Sequence, residues 1–213
     1  RQEIMLQHHR NSRLAQMLGR LVLKITGWKV SGELPIEPRS VIIAAPHTSN
    51  WDFVFLIAAT SALGVRIHWL GKDSLFNHPL GFIMHWLGGI PVNRSKRTRL
   101  VSQIAERFQT QASLHLVIPP AGTRAHTDRW RSGFYHIAQS ANVPVIFGFL
   151  DYPKKLAGIS QAMPLSGRLK EDMDRIRVFY ADKVGKFPAM SSTIRLEEEF
   201  EAESPSGHSK DPS

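Results

Sequence analysis

The segment Pro46-His47-Thr48-Ser49-Asn50-Trp51-Asp52 sets an imidazole five residues ahead of a carboxylate. On a continuous helix, positions five apart diverge by about 140° at ~3.6 residues per turn, so the two groups would not meet. Here Pro46 ends an apolar run, and Ser49 or Asn50 is a good N-cap for a helix beginning near Trp51. His47 then falls on a strand-to-helix turn and Asp52 in the first helical turn, where the chain can fold back and join them. A carboxylate there also sits at the positive end of the helix. With Asp52 holding the proton of one ring nitrogen, the other nitrogen is free to take a proton from a hydroxyl. A general base of this kind is worth ~10²–10⁴-fold in rate. The attacking hydroxyl can belong to the substrate, so no serine or cysteine nucleophile is required. A capping aspartate beside an unrelated histidine has the same spacing, so this short motif is weak alone.

Two further segments have the chemistry of anion binding. In Gly88-Gly89-Ile90-Pro91-Val92-Asn93-Arg94-Ser95, the glycines allow a tight turn, and Arg94 precedes a helix whose amides could face an anion. In Pro120-Ala121-Gly122-Thr123-Arg124, Gly122 permits close backbone approach, Thr123 offers a hydroxyl and Arg124 a bidentate fork. Arg129 and Arg131 reinforce the positive field. An ordinary turn and a basic solvent loop are the plainer readings of these two segments. Both the His47 loop and the Gly122 loop follow apolar strands, so they can meet at one end of a sheet, where ligands often bind.

The elements that must position these loops can be read along the chain. Val41 to Ala45 is a continuous apolar run and predicts a buried strand, followed by a helix from Trp51 to Leu63. Arg66 to Leu70 predicts a strand, Pro79 to Leu87 a short helix, and Ile90 to Val92 a brief extended piece. Ser95 to Gln109 reads as a polar, basic helix. Leu114 to Ile118 and Val143 to Leu150 read as strands, with a helix from Gly133 to Ala141 between them. Arg175 to Tyr180 reads as a late strand. Ser191 to Glu203 reads as an acidic helix with Glu197-Glu198-Glu199 on its solvated face.

Ahead of all these, Leu14, Met17, Leu18, Leu21 and Ile25 share one side of a helix, with Arg13, Arg20 and Lys24 nearby. A core helix with a basic edge and an interfacial membrane helix both fit that pattern. Gly27 ends it, and Trp28 to Ser31 predicts a short strand. Strands alternating with helices predict an α/β fold, a mostly parallel or mixed sheet covered by helices on both faces. One domain is expected over 1–203, with 1–27 as an amphipathic membrane-interface region. The Ser- and Pro-containing stretch 204–213 is expected to be disordered.

Composition narrows the partners. The 213 residues carry 27 Lys plus Arg against 18 Asp plus Glu, a net charge of +9, which favours an anionic partner. The hydrophobic content of 42% is that of a globular chain. There is no cysteine, which excludes disulfides and thiolate chemistry. The ten histidines are scattered without a His-Glu-x-x-His pattern, so no metal site is expected. Nucleic acid is not expected either, because zinc-finger spacing, an aromatic RNA-binding signature and helix-turn-helix punctuation are all missing. No apolar run approaches the ~20 residues of a spanning helix. The opening residues lack the apolar core of a signal peptide and a starting methionine, from which a trimmed or processed chain is expected.

Taken in order, the three segments resemble the glycerolipid acyltransferase family, typified by 1-acylglycerol-3-phosphate acyltransferases. The family's His, four residues, Asp block stands as His47 to Asp52. Its second block resembles Gly89 to Arg94, and its Pro-Glu-Gly-Thr-Arg block stands as Pro120 to Arg124. A fourth, a hydrophobic strand after Val-Pro, resembles Val143 to Ile146. Together they cover roughly Val41 to Leu150, and four ordered blocks are far more specific than one.

The resemblance implies transfer of a fatty acyl group from acyl carrier protein or acyl-coenzyme A to a lysophospholipid hydroxyl. It implies His47 as base and Asp52 as its partner, with Arg94, Gly122, Thr123 and Arg124 on the acceptor phosphate and Lys72 within reach of it. A thioester is already activated, so the resemblance implies no cofactor. Peripheral attachment to the cytoplasmic face of an anionic membrane is expected, with an acyl groove lined by Phe53, Phe55, Leu56, Trp69 and Leu70. Two positions depart from the family. Ala121 stands where the family has Glu, and an alanine can neither accept a hydrogen bond nor balance the arginines. That predicts an activity-reduced form, engineered or naturally divergent. The sequence Gly148-Phe149-Leu150-Asp151-Tyr152 lacks a further proline after the fourth block, which leaves open another lysolipid or an amine-bearing lipid as acceptor.

Overall fold

In the computed structural model, which describes residues 11–33, 35–77, 79, 81–92 and 97–201, the apolar runs form the middle of a sheet. They are β2 (Arg39–Ala45), β5 (Leu114–Ile118) and β6 (Val145–Asp151), the last buried at every position. Around them lie β1 (Lys29–Ser31), β3 (Ile67–Lys72), β4 (Gly89–Val92) and β7 (Leu156–Ile159). The sheet order is β1-β7-β6-β2-β5-β3-β4. Every neighbouring pair is parallel except β6 with β7, which form an antiparallel hairpin. The sheet is therefore mixed and mostly parallel, as the alternation of strands and helices predicts.

Helices cover both faces because the central strands bury side chains on both. The helices are α1 (Arg13–Thr26), α2 (Trp51–Ala62), α3 (Gly81–Trp86), α4 (Arg97–Thr110), α5 (Gly133–Ala141), α6 (Leu169–Tyr180) and α7 (Glu197–Glu201). Along β2 the side chains alternate. Val41 and Ile43 join a cluster with Ile104 of α4, Phe134 and Ile137 of α5, and Met173 and Ile176 of α6. Ile42 faces the other way, toward Leu56 of α2. On that side Phe55 of α2 packs with Leu23 of α1 and with Trp28.

Two sequence expectations are corrected. Arg175 to Tyr180 is the second half of α6 and not a strand. Alternation would bury Ile176, Val178 and Tyr180 together. The buried residues are instead Asp172, Met173, Ile176 and Tyr180, at helical spacing, while Val178 is 77% exposed. The acidic helix begins at Glu197 rather than Ser191. Its acidic run is solvated only in part: Glu197 is exposed, whereas Glu199 is buried, pairs with Arg177 at 2.8 Å and accepts a bond from the Leu196 amide at 2.7 Å. Strand β7 was not anticipated at all, since Leu-Ala-Gly-Ile is short and lacks β-branched alternation.

Helix α1 is capped by the Ser12 hydroxyl, which accepts from the Ala15 amide at 3.2 Å, and by Gly27 at φ +75°. Only Gly19 and Leu23 are buried in it. Leu14, Met17, Leu18, Leu21 and Ile25 all face outward. Of the two readings of this helix, the apolar stripe is therefore not core.

Candidate active site

The parallel register brings the ends of β2, β5 and β6 to one edge of the sheet, with Ala45 opposite Phe149 and Ile43 opposite both Ile118 and Phe147. The residues just beyond these ends are His47, the Pro119–Arg124 loop and Tyr152. Ligands in α/β sheets bind at this carboxyl edge.

His47 and Asp52 meet, His47 Nδ1 lying 3.3 Å from Asp52 Oδ2. The turn between them closes as a cap. The Ser49 hydroxyl accepts from the Trp51 amide at 3.2 Å, while Asp52 Oδ2 accepts from the Thr48 and Ser49 amides at 2.7 and 2.8 Å. One carboxylate thus ties the Thr48–Ser49 turn ahead of α2 and lies beside the imidazole. Asp52 Oδ1 accepts from the Tyr152 hydroxyl at 2.6 Å. Burial by itself would raise the Asp52 pKa, but the bonds from His47, Tyr152, Ser49 and Thr48 outweigh it and hold it below the ordinary carboxylate value. Asp52 is therefore ionised. Burial, and then the same carboxylate, push the Tyr152 phenol far above its usual range.

The pair opens on a cleft of about 1210 Å³. Its lining includes His47, Asp52, Ala121, Gly122, Thr123 and Arg124, together with Arg129 and Arg131. Phe53, Leu56, Trp69, Leu70 and Val117 line its apolar part. Phe55 does not, because a residue two along a helix from Phe53 points to the other side. It stacks on Trp28 at 4.4 Å between ring centres. Gly122 has φ +67°, and a Cβ there would stand 3.0 Å from Arg131 Nε, so the guanidinium lies against the glycine. Thr123 Oγ1 accepts from the Ala125 amide at 3.2 Å. Lys72 is exposed at the end of β3 and does not line the cleft. Arg94 lies outside the described residues.

Several features of the site had no signal in the sequence. Tyr152 is 100 residues from Asp52, and nothing local marks it as a partner. Glu197 and Glu198 also line the cleft, Glu197 paired with Arg129 at 2.9 Å. Behind Ala121, itself buried, lies a second chamber of about 250 Å³ bounded by His47, Pro120, Trp130, Lys183 and Ser191. Among the described residues no three His, Asp or Glu side chains are grouped to hold a metal ion.

A mixed sheet carrying a His–Asp pair at a cleft with an apolar part and an arginine-containing part has the layout of a group-transfer enzyme. The chain belongs to the acyltransferase family, whose model, described as Acyltransferase, matches residues 27–147. It is 23% identical over 141 residues to the 1-acyl-sn-glycerol-3-phosphate acyltransferase of Streptococcus pneumoniae, over 62% of this chain and 52% of that protein. The chain thus spans about half the length of that curated relative. In fold it is similar to the crystal structure of the 1-acyl-sn-glycerophosphate acyltransferase PlsC of Thermotoga maritima. The TM-score is 0.57 at 16% identity, over 80% of this chain and 76% of that one.

Proposed function

We propose that the protein moves a fatty acyl group from a thioester donor, acyl carrier protein or acyl-coenzyme A, to the hydroxyl of a lysophospholipid such as 1-acyl-glycerol-3-phosphate. The observation that carries this reading is the His47–Asp52 pair at 3.3 Å opening on a cleft that is apolar at one part and arginine-lined at another. Asp52 keeps the Nδ1 proton, which leaves Nε2 to accept the proton of the acceptor hydroxyl. The hydroxyl oxygen attacks the thioester carbonyl, forming a C–O bond and a tetrahedral intermediate. Its collapse breaks the C–S bond, and the leaving thiolate takes the proton from His47. Arg124, with Arg129 and Arg131, receives the acceptor's phosphate, and the apolar wall takes the acyl chain.

A second acceptor class is favoured by one observation. Glu197 and Glu198 line the same cleft as the arginines, which suits a head group bearing an ammonium as well as an anion. Both readings are tested by single-turnover transfer from labelled acyl carrier protein and acyl-coenzyme A to a panel of lysolipids. Preference for lysophosphatidic acid supports the first, preference for an amine-bearing lysolipid the second, and no transfer to any of them refutes both. The protein works, in this reading, from the cytoplasmic face of a membrane, held by the outward apolar stripe of α1 and by its basic charge.

A further inference from the structure

We propose that Tyr152 is a positioning residue for the His47–Asp52 pair, its phenol fixing the carboxylate that in turn fixes the imidazole. The inference rests on the reaction proposed above and adds to it a residue 100 positions away in sequence, beyond the end of the neighbouring strand β6.

The Asp52 oxygens are held differently. Oδ2 takes the Thr48 and Ser49 amides and faces His47, whereas Oδ1 has the Tyr152 hydroxyl. The terminal torsion of an aspartate is broad and roughly two-fold, so a carboxylate held at one oxygen can turn. A donor at 2.6 Å on the second oxygen removes that freedom and satisfies an oxygen that is otherwise buried.

Tyr152 itself has little room to move. It stands one residue past β6, which runs beside β2 in parallel register. Its amide donates to the Val184 carbonyl at 3.0 Å, and its carbonyl accepts from the Lys155 amide at 3.1 Å. The ring meets the edge of Trp28 at 4.9 Å and Phe55 at 6.2 Å, with the Lys186 ammonium 6.0 Å away. The phenol stays protonated because burial and Asp52 both disfavour its anion. It is therefore a fixed donor. Trp28 directly follows the Gly27 cap of α1, so the same stack ties α1 to the Asp52 carboxylate.

Tyr152→Phe keeps the ring packing and deletes only the hydroxyl. The expected result is a kcat lower by about ten- to a hundredfold, the factor for a lost hydrogen bond to a charged group, with KM for donor and acceptor nearly unchanged. In an Asp52→Asn background the same change should cost less than about twofold, since its route through Asp52 is already gone. A merely structural tyrosine would cost the same factor in both backgrounds, and that outcome overturns the proposal. So does an unchanged kcat in the single variant. Imidazole proton–nitrogen NMR gives a readout independent of turnover. The His47 resonances should move in Tyr152→Phe while those of His126 and His136 stay, and an unmoved His47 contradicts the proposal. If His47→Ala retains transfer, the reaction proposed above fails, but the resonance shift still decides whether Tyr152 holds the pair.

Discussion

Asp52 is a buried carboxylate that four groups keep ionised, and that balance has a pH signature. Its folded pKa is below the ordinary value, so the stability it contributes is present above about pH 4 and is lost as pH falls through the folded value. Asp52→Asn should remove this acid-sensitive component. It should also lower stability near neutral pH by about 1–3 kcal/mol, because two backbone amides and a phenol lose a charged acceptor. Denaturant midpoints measured from neutral to acid pH check this: the curve of the variant should fall less steeply below about pH 4. Ala121 is informative for the opposite reason, since it leaves space. A glutamate there would have the chamber of about 250 Å³ to enter, and Lys183 lines that chamber. Ala121→Glu is expected to raise acyl transfer well above that of the present chain. Equal single-turnover rates would show that the alanine costs nothing.

At the scale of elements, the sharpest test concerns how closely α1 approaches α2. A Cβ on Gly19 would stand 2.5 Å from the Ala58 carbonyl oxygen and 3.0 Å from the Ala62 amide nitrogen, both backbone atoms. Gly19→Ala gains ~1 kcal/mol of helix propensity, but a clash with backbone costs more, about 1–3 kcal/mol. The variant should melt lower, whereas Gly133→Ala, where a Cβ meets nothing within 4 Å, should melt at the same temperature or higher. The elements also show what the sequence could and could not reveal. The buried runs at Val41 and Leu114, the helix after Asn50 and the meeting of the His47 and Gly122 loops were legible, because continuous apolarity and turn chemistry are local signals. Helix α6 was misread because Ile176, Val178 and Tyr180 alternate as well as any strand, and only packing shows that Val178 turns outward. Phe55 enters the groove only in what the family resemblance implies, and helix phase removes it. Tyr152 and Glu198 were invisible because their roles depend on contacts between distant segments.

For the whole molecule, the proposed membrane attachment joins the apolar stripe of α1 to the net charge of +9. No helix among the described residues is long and apolar enough to cross a membrane. Surface attachment would instead combine exposed side chains such as Met17 and Ile25 with basic residues worth ~1 kcal/mol each near an anionic leaflet. Co-sedimentation should therefore show binding to phosphatidylglycerol vesicles that weakens with salt, and little binding to phosphatidylcholine alone. Met17→Asp and Ile25→Asp should each reduce it without lowering the melting temperature, since both side chains are more than half exposed. Binding that neither salt nor these changes weakens would contradict this arrangement. The central claim, that His47 is the base for transfer to a substrate hydroxyl, is tested most directly by single-turnover acyl transfer in His47→Ala. A fall of about 10²-fold or more with an unchanged melting temperature is the predicted result. Transfer at the full rate without this imidazole would contradict the account.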